Sequence, residues 1–230
     1  MHIPLLSPVG RVSAVSRLSR AGAVCVVLGG AVTALVAARW RPLVDLDARI
    51  AEALHRRAVT EPGLVHANRL LTDWLWDPWT FRALIAVAVV VLWWRGTRTL
   101  AVWVAGTTLF SALVQQGVKA AVGRDRPQWA DPVDSAHYAA YPSGHAMTAT
   151  VSCGLLLWLL HRSGVRRGPW RAAVGAAAVS VLGVGLTRLY LGVHWPSDVL
   201  GGWLMGAALT AFAIVGFDRW CAAAPARRRP

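Results

Sequence analysis

The sequence predicts an all-α, polytopic membrane bundle of about six transmembrane helices, and three observations lead there. Hydrophobic residues make up 56% of the 230 and charged residues only 15%, where a soluble domain carries about a quarter charged. The apolar excess falls in blocks at 21–38, 82–94, 99–118, 146–161, 170–187 and 197–217. Some are at the short limit for the roughly 20 residues a bilayer requires. Trp40, Trp93, Trp94, Trp170, Trp195 and Trp220 lie near block ends, at the headgroup level that indole favours.

Residues 1–20 carry Arg11, Arg17 and Arg20 without an acid and predict a cytoplasmic N-terminal segment. The run 21–38 follows without interruption. A basic start before an apolar run also describes a signal peptide, with Val36-Ala37-Ala38 as its cleavage site. The length of the run favours a retained first span. Residues 41–80 form a long polar connection. Leu43, Leu46, Ile50, Ala53 and Leu54 recur at helical steps, which predicts an amphipathic helix. That helix lies either on the membrane surface or on the extramembrane end of the bundle. Trp74, Trp76 and Trp79 close the segment at the headgroup level. Residues 21–217 are read as one membrane domain and 218–230 as a basic cytoplasmic tail. In the last span, Gly202 and Gly206 make a G-x-x-x-G pair, a close-packing face.

The formal net charge of +13 does not point to nucleic acid, because the cations sit in short segments between apolar blocks. With the N-terminus inside, thirteen of the 24 cations but one of the 11 acids fall in the short inner segments. Cation density therefore predicts both termini in the cytoplasm. Cys25, Cys153 and Cys221 show neither a pairing pattern nor metal spacing.

That orientation puts three polar clusters on the outer side. Lys119 to Pro127 follows the third span, Tyr141 to His145 begins the fourth, and Thr187 to Asp198 runs from the fifth into the sixth. Ionisable residues at span edges are costly to place and suggest function. Pro142-Ser143-Gly144-His145 stands at a helix start, where free N–H groups and the dipole favour an anion. Gly144 permits close backbone approach and Ser143 can cap or donate. Lys119, Arg126 and Arg188 are cations suited to the oxygens of a transferring phosphoryl group. Arg124, Arg39 and Arg82 read instead as positive flanks of spans. His194 and Asp198 lie four residues apart around Pro196, so the carboxylate can bond Nδ1–H, fix the tautomer and leave Nε2 free to attack. His145 is then free to serve as an acid.

The elements K-x6-R-P, P-S-G-H and T-R-x5-H-x3-D resemble the three-part signature of the type-2 phosphatidic acid phosphatase family, membrane lipid phosphatases related to vanadium haloperoxidases. The motifs cover residues 119–198, and the six-span layout extends the resemblance to about 20–217. The resemblance implies His194 as the nucleophile forming a phosphohistidine, Asp198 as its orienter and His145 as the acid that later activates water. It implies phosphate binding by Lys119, Arg126, Ser143, Gly144 and Arg188, with no metal and no cofactor. Thr187 departs from the family's usual serine but keeps the hydroxyl. The partners so implied are the lipid bilayer and a membrane lipid phosphate, namely polyprenyl diphosphate, phosphatidate or phosphatidylglycerol phosphate. Two other readings stay open: a catalytically silent lipid-phosphate binder, and a phosphatase for a soluble or glycolipid phosphate. His2, His55, His66 and His161 receive no role. His137 and Tyr138, in the loop between the first two clusters, are candidates for headgroup contact.

Overall fold

The computed structural model describes residues 8–223. It contains α1 (Pro8–Ala37), α2 (Arg41–Thr60), α3 (Pro62–Leu70), a π-helical turn (Leu71–Leu75), α4 (Pro78–Trp94), α5 (Arg98–Val122), α6 (Gly144–Arg162), α7 (Arg167–Tyr190) and α8 (Pro196–Ala223). Among the described residues, five stretches are long and apolar enough to cross a membrane: Val15–Ala37, Pro62–Trp94, Arg98–Val122, Arg167–Tyr190 and Pro196–Ala223. The expected fourth span is α6, which falls short of that standard for a physical reason. It is the central helix, packed against α4, α5, α7 and α8, and its buried residues include Ala146, Ala149 and Ser152. A helix enclosed by other helices meets little lipid and can afford small and polar side chains. The outer helices do meet lipid. Val27 on α1, Val87 on α4, Leu113 on α5 and Leu186 on α7 are all exposed, as an apolar solvent requires.

Gly22 of α1 lies against Ala211 and Phe212 of α8, and Gly29 against Leu204, so these two helices run antiparallel along most of their length. The close-packing pair on α8 faces α6. A Cβ on Gly202 would fall 2.7 Å from the Ser143 carbonyl oxygen, and one on Gly206 would fall 2.8 Å from Thr150 Cβ. Neither position has room for a methyl group. Away from the motifs, Ile85, Val104, Val151, Leu155, Trp158 and Phe217 form an apolar core. Arg162 and Asp218 pair beside it at 2.9 Å, with the guanidinium over the Trp158 and Phe217 rings.

Three features differ from the sequence expectation. First, α1 begins at Pro8, so residues 8–20 extend the first helix; residues 1–7 of that segment, and 224–230 of the basic tail, lie outside the described residues. Second, α2 turns a polar and small stripe onto the bundle. Its buried residues are Asp47, Ala51, His55 and Ala58, while Leu46 and Ile50 are exposed. The helix lies on the end of the bundle with its apolar stripe beside the contact rather than in it. Third, not every tryptophan is a membrane anchor. Trp74, Trp79 and Trp94 are exposed, but the Trp76 ring packs on Gly183 of α7. Trp195 Nε1 donates to the Asp125 carbonyl oxygen at 2.9 Å.

Candidate active site

The break between α7 and α8 puts His194 one step before the helix that carries Asp198. Pro196 opens α8, a position where its missing N–H costs nothing. Asp198 sits in the first turn, where the dipole favours a carboxylate. Its Oδ2 accepts from the Trp195 backbone N–H at 2.9 Å and faces His194 Nδ1 at 3.3 Å. On the other edge of the imidazole, Arg126 Nη1 approaches Nε2 at 3.3 Å. A guanidinium only donates, so in this contact Nε2 accepts and the ring proton is on Nδ1, shared with Asp198. The ring is 2% exposed. Burial first, and then the charges of Arg126, Arg188 and Lys119, hold its pKa well below the ordinary histidine range. The imidazole is therefore neutral at physiological pH, with a lone pair aimed at the cations.

The other motif residues assemble around that lone pair. Lys119, in the last turn of α5, is buried and donates to the Ala139 carbonyl oxygen. Arg126 also donates to the carbonyl oxygens of Val193 at 2.6 Å and Tyr138 at 2.9 Å. Burial and the neighbouring Arg188 lower its pKa to about 10, which leaves it charged at neutral pH. Arg188 is buried in the last turn of α7. Its Nη1 lies 3.3 Å from Thr72 Oγ1 and 3.8 Å from Asp134 Oδ2, while its buried Nε has no partner among the described atoms. Ser143 caps α6 by accepting from the Ala146 N–H, and its own N–H donates to the Asp198 carbonyl oxygen at 2.9 Å. That bond locks the starts of α6 and α8 together. His145, in the first turn of α6, lies within charge–charge reach of Arg188, His194, Arg126 and Lys119. Gly144 is pressed by a neighbour: a Cβ there would lie 2.7 Å from Gln115 Nε2. All eight sequence-predicted site residues thus come from one end of the bundle. Thr187 stands just outside the set, since its hydroxyl donates back to the Val184 carbonyl oxygen at 2.8 Å. His137 and Tyr138 are exposed on the loop above.

Arg124 is a correction to the sequence reading. It is no topogenic flank, because its Nη1 donates to Asp198 Oδ1 at 2.7 Å and to Ser197 Oγ at 2.6 Å. Its Nη2 donates to Asp47 Oδ2, also at 2.7 Å. Arg124 and Arg126 both reach the 193–198 turn and grip opposite ends of the His194–Asp198 pair. The R-x-R spacing was the available signal, since side chains two apart in an extended stretch share a face. Asp47 carried no such signal. It is 1% exposed on α2, 77 residues from Arg124 and 150 from Ser197, and also accepts from the Ser197 N–H at 2.9 Å and Ser197 Oγ at 2.5 Å. Removing Arg124 strands two buried carboxylates, a loss of about 3–5 kcal/mol by comparison with other broken buried pairs. Thr72 and Asp134, which hold Arg188, were likewise unread. Among the described residues no group of three or more His, Cys, Asp or Glu is arranged to hold a metal ion.

Comparison with known proteins bears on the family. The family model described as the PAP2 superfamily matches residues 100–220. The chain is 34% identical over 108 residues to phosphatidylglycerophosphatase B of Bacillus subtilis, covering 46% of this chain and 52% of that protein. It is 36% identical over 75 residues to an undecaprenyl-diphosphatase of Sulfolobus acidocaldarius, covering 33% and 32%. A lipid A 1-phosphatase of Rhizobium johnstonii is 30% identical over 122 residues, covering 49% and 46%. The chain thus spans about half the length, or less, of these curated relatives. In fold it is similar to the crystal structure of a transmembrane PAP2-type phosphatidylglycerolphosphate phosphatase from Bacillus subtilis. The TM-score is 0.67 at 21% identity, over 86% of this chain and 96% of that one. The family match takes in α5 to α8 and every predicted site residue, and the chain belongs to the PAP2 superfamily.

Proposed function

We propose that this protein is a metal-independent membrane phosphatase that hydrolyses a lipid phosphate or diphosphate through a phosphohistidine. The observation that carries the proposal is the His194 ring, with Nδ1 on Asp198 and an unprotonated Nε2 facing Arg126. A phosphoryl group bound by Lys119, Arg126, Arg188 and the N–H groups at the start of α6 would place phosphorus in line with that lone pair. Nε2 attacks phosphorus, the bond to the lipid oxygen breaks, and His145 gives that oxygen its proton. His145 then takes a proton from water, whose oxygen attacks the phosphohistidine, and inorganic phosphate leaves. Asp198 keeps the proton on Nδ1 and balances the charge on the phosphorylated ring.

The lipid classes that suit a site at the end of a membrane bundle are phosphatidylglycerol phosphate, phosphatidate and polyprenyl diphosphate, the first and last matching names carried by the relatives. We place the site on the outer face, with both ends of the chain in the cytoplasm, because cation density is higher in the segments at the opposite end. The test is phosphate release by purified protein in detergent with EDTA, across those three lipids and a water-soluble phosphomonoester. Metal-free release with one lipid preferred supports the proposal. Release that needs a divalent ion defeats the mechanism, and none from any substrate by folded protein leaves a lipid-phosphate binder.

His145 has a separable signature. His145→Ala is expected to slow lipid turnover about 10²–10⁴-fold. With a nitrophenyl phosphate, whose leaving group needs no proton, the first step is spared and only the second is slowed. An alkali-stable, acid-labile phosphoryl label should then accumulate on the variant. Equal slowing with both substrates and no label would remove His145 from the acid–base role.

A further inference from the structure

The family match begins at residue 100, so Asp47 lies outside it, yet Asp47 is among the most deeply buried charges in the protein. It is built into the site rather than resting beside it. Both its oxygens are committed: Oδ1 accepts from the Ser197 N–H at 2.9 Å, and Oδ2 accepts from Ser197 Oγ at 2.5 Å and Arg124 Nη2 at 2.7 Å. Arg124 spends its other terminal nitrogen on Asp198 Oδ1 and Ser197 Oγ. The guanidinium is thus divided between two carboxylates by its own planar fork. Asp198 has its second oxygen left for His194 Nδ1 and the Trp195 N–H.

We propose that Asp47, acting through Arg124, is a positioning residue for the nucleophile, resting on the reading of His194 given above. The physical case is competition for one fork. With Asp47 in place, Arg124 offers Asp198 a single Nη1 donor. Without that charge, the guanidinium is free to turn both ends onto Asp198, the bidentate geometry that arginine and carboxylate prefer. Asp198 Oδ2 is then drawn off Nδ1, and the imidazole loses both its tautomer and its aim. Asp47 also fixes the first turn of α8 through Ser197, so the same carboxylate sets where Asp198 stands and which way it faces. The chain of contacts runs Asp47, Arg124, Asp198, His194; Asp47, Asp198 and His194 are buried, and the Arg124 side chain is 14% exposed.

The consequence is that α2, a helix with its other face exposed, contributes a residue to the chemical step rather than to lipid capture. The test uses the full-length protein in detergent with a lipid phosphate and a water-soluble phosphomonoester. Asp47→Asn, Asp47→Glu, Arg124→Gln and the Asp47→Asn/Arg124→Gln double variant are compared, with His194→Ala as control. The expected result for Asp47→Asn is a kcat lowered about 10–100-fold, the usual effect of losing a residue behind a reactive group, by the same factor on both substrates. KM should hold, Asp47→Glu should recover part of the loss, and the double variant should be no slower than Arg124→Gln alone.

Wild-type kcat in folded Asp47→Asn overturns the proposal, as does additivity in the double variant. A loss confined to the lipid substrate overturns it in favour of a lipid-docking role for α2. Should Asp47→Asn not fold, Asp47→Glu reads the same quantity, since it keeps the charge but displaces it; unchanged kcat there also counts against the proposal. Turnover retained by His194→Ala is a different failure, that of the phosphohistidine reading itself.

Discussion

His194→Ala is expected to abolish phosphate release while leaving the protein folded. The geometry gives a reason for each half. Nε2 is an unprotonated nitrogen facing Arg126, so its removal leaves the cations able to bind phosphate but takes away the attacking atom. The fold persists because Asp198 is not stranded by the loss: it still accepts from Arg124 at 2.7 Å and from the Trp195 N–H at 2.9 Å. A buried carboxylate that keeps those two partners escapes the penalty of an unpaired charge. In a triad, loss of the nucleophile leaves only what binding and electrostatics contribute. The check is phosphate release beside the detergent elution profile and thermal midpoint of the same preparation. Wild-type-like turnover in a folded His194→Ala protein would falsify the mechanism.

Asp198→Asn is expected to lower turnover by about 10⁴-fold, the size seen when a triad's orienting carboxylate becomes an amide. An amide nitrogen placed at the Oδ2 position donates where the carboxylate accepted. His194 Nδ1 would then present its lone pair to it and carry the proton on Nε2, the atom that must attack. The wrong tautomer is thus stabilised in a well-formed site. Here the nitrophenyl substrate gives no relief, because the defect is in the nucleophile and not in the leaving group. No phosphoryl label should build up on Asp198→Asn, in contrast to His145→Ala. A label that forms at the wild-type rate would show that Asp198 does not set the tautomer.

The sequence disclosed the bundle and the convergence of its three polar clusters, since apolar blocks of span length permit few other arrangements. The motif residues were legible because each sits at a helix end or in a short link, where a charge stands out against an apolar background. What stayed hidden was hidden by its company. Arg124 lies between a lysine and a second arginine at a span edge, which is also the pattern of a charge placed for topology. Asp47 sits on a helix whose regular feature is its apolar stripe, and that stripe turned out to be beside the contact. The buried face of α2 is Asp47, Ala51, His55 and Ala58, small and polar because it packs on the polar end of a bundle. Periodicity of apolar residues cannot find a face chosen for its charge. The central helix α6 was legible, but as a short span, because its neighbours, not lipid, surround it.

The pairing of α1 with α8 bears on how the molecule is made. The helix α1 finds its main neighbour in α8, far along the chain. Thr33 near the end of α1 and Gly201 near the start of α8 both touch Tyr141, through a 2.8 Å hydroxyl contact in the first case and ring packing in the second. Until α8 is inserted, α1 lacks that partner, and Arg124 and Ser143 have no Asp198 to hold. Assembly of the catalytic end therefore waits for α8, and a chain stalled before α8 is expected to be inert.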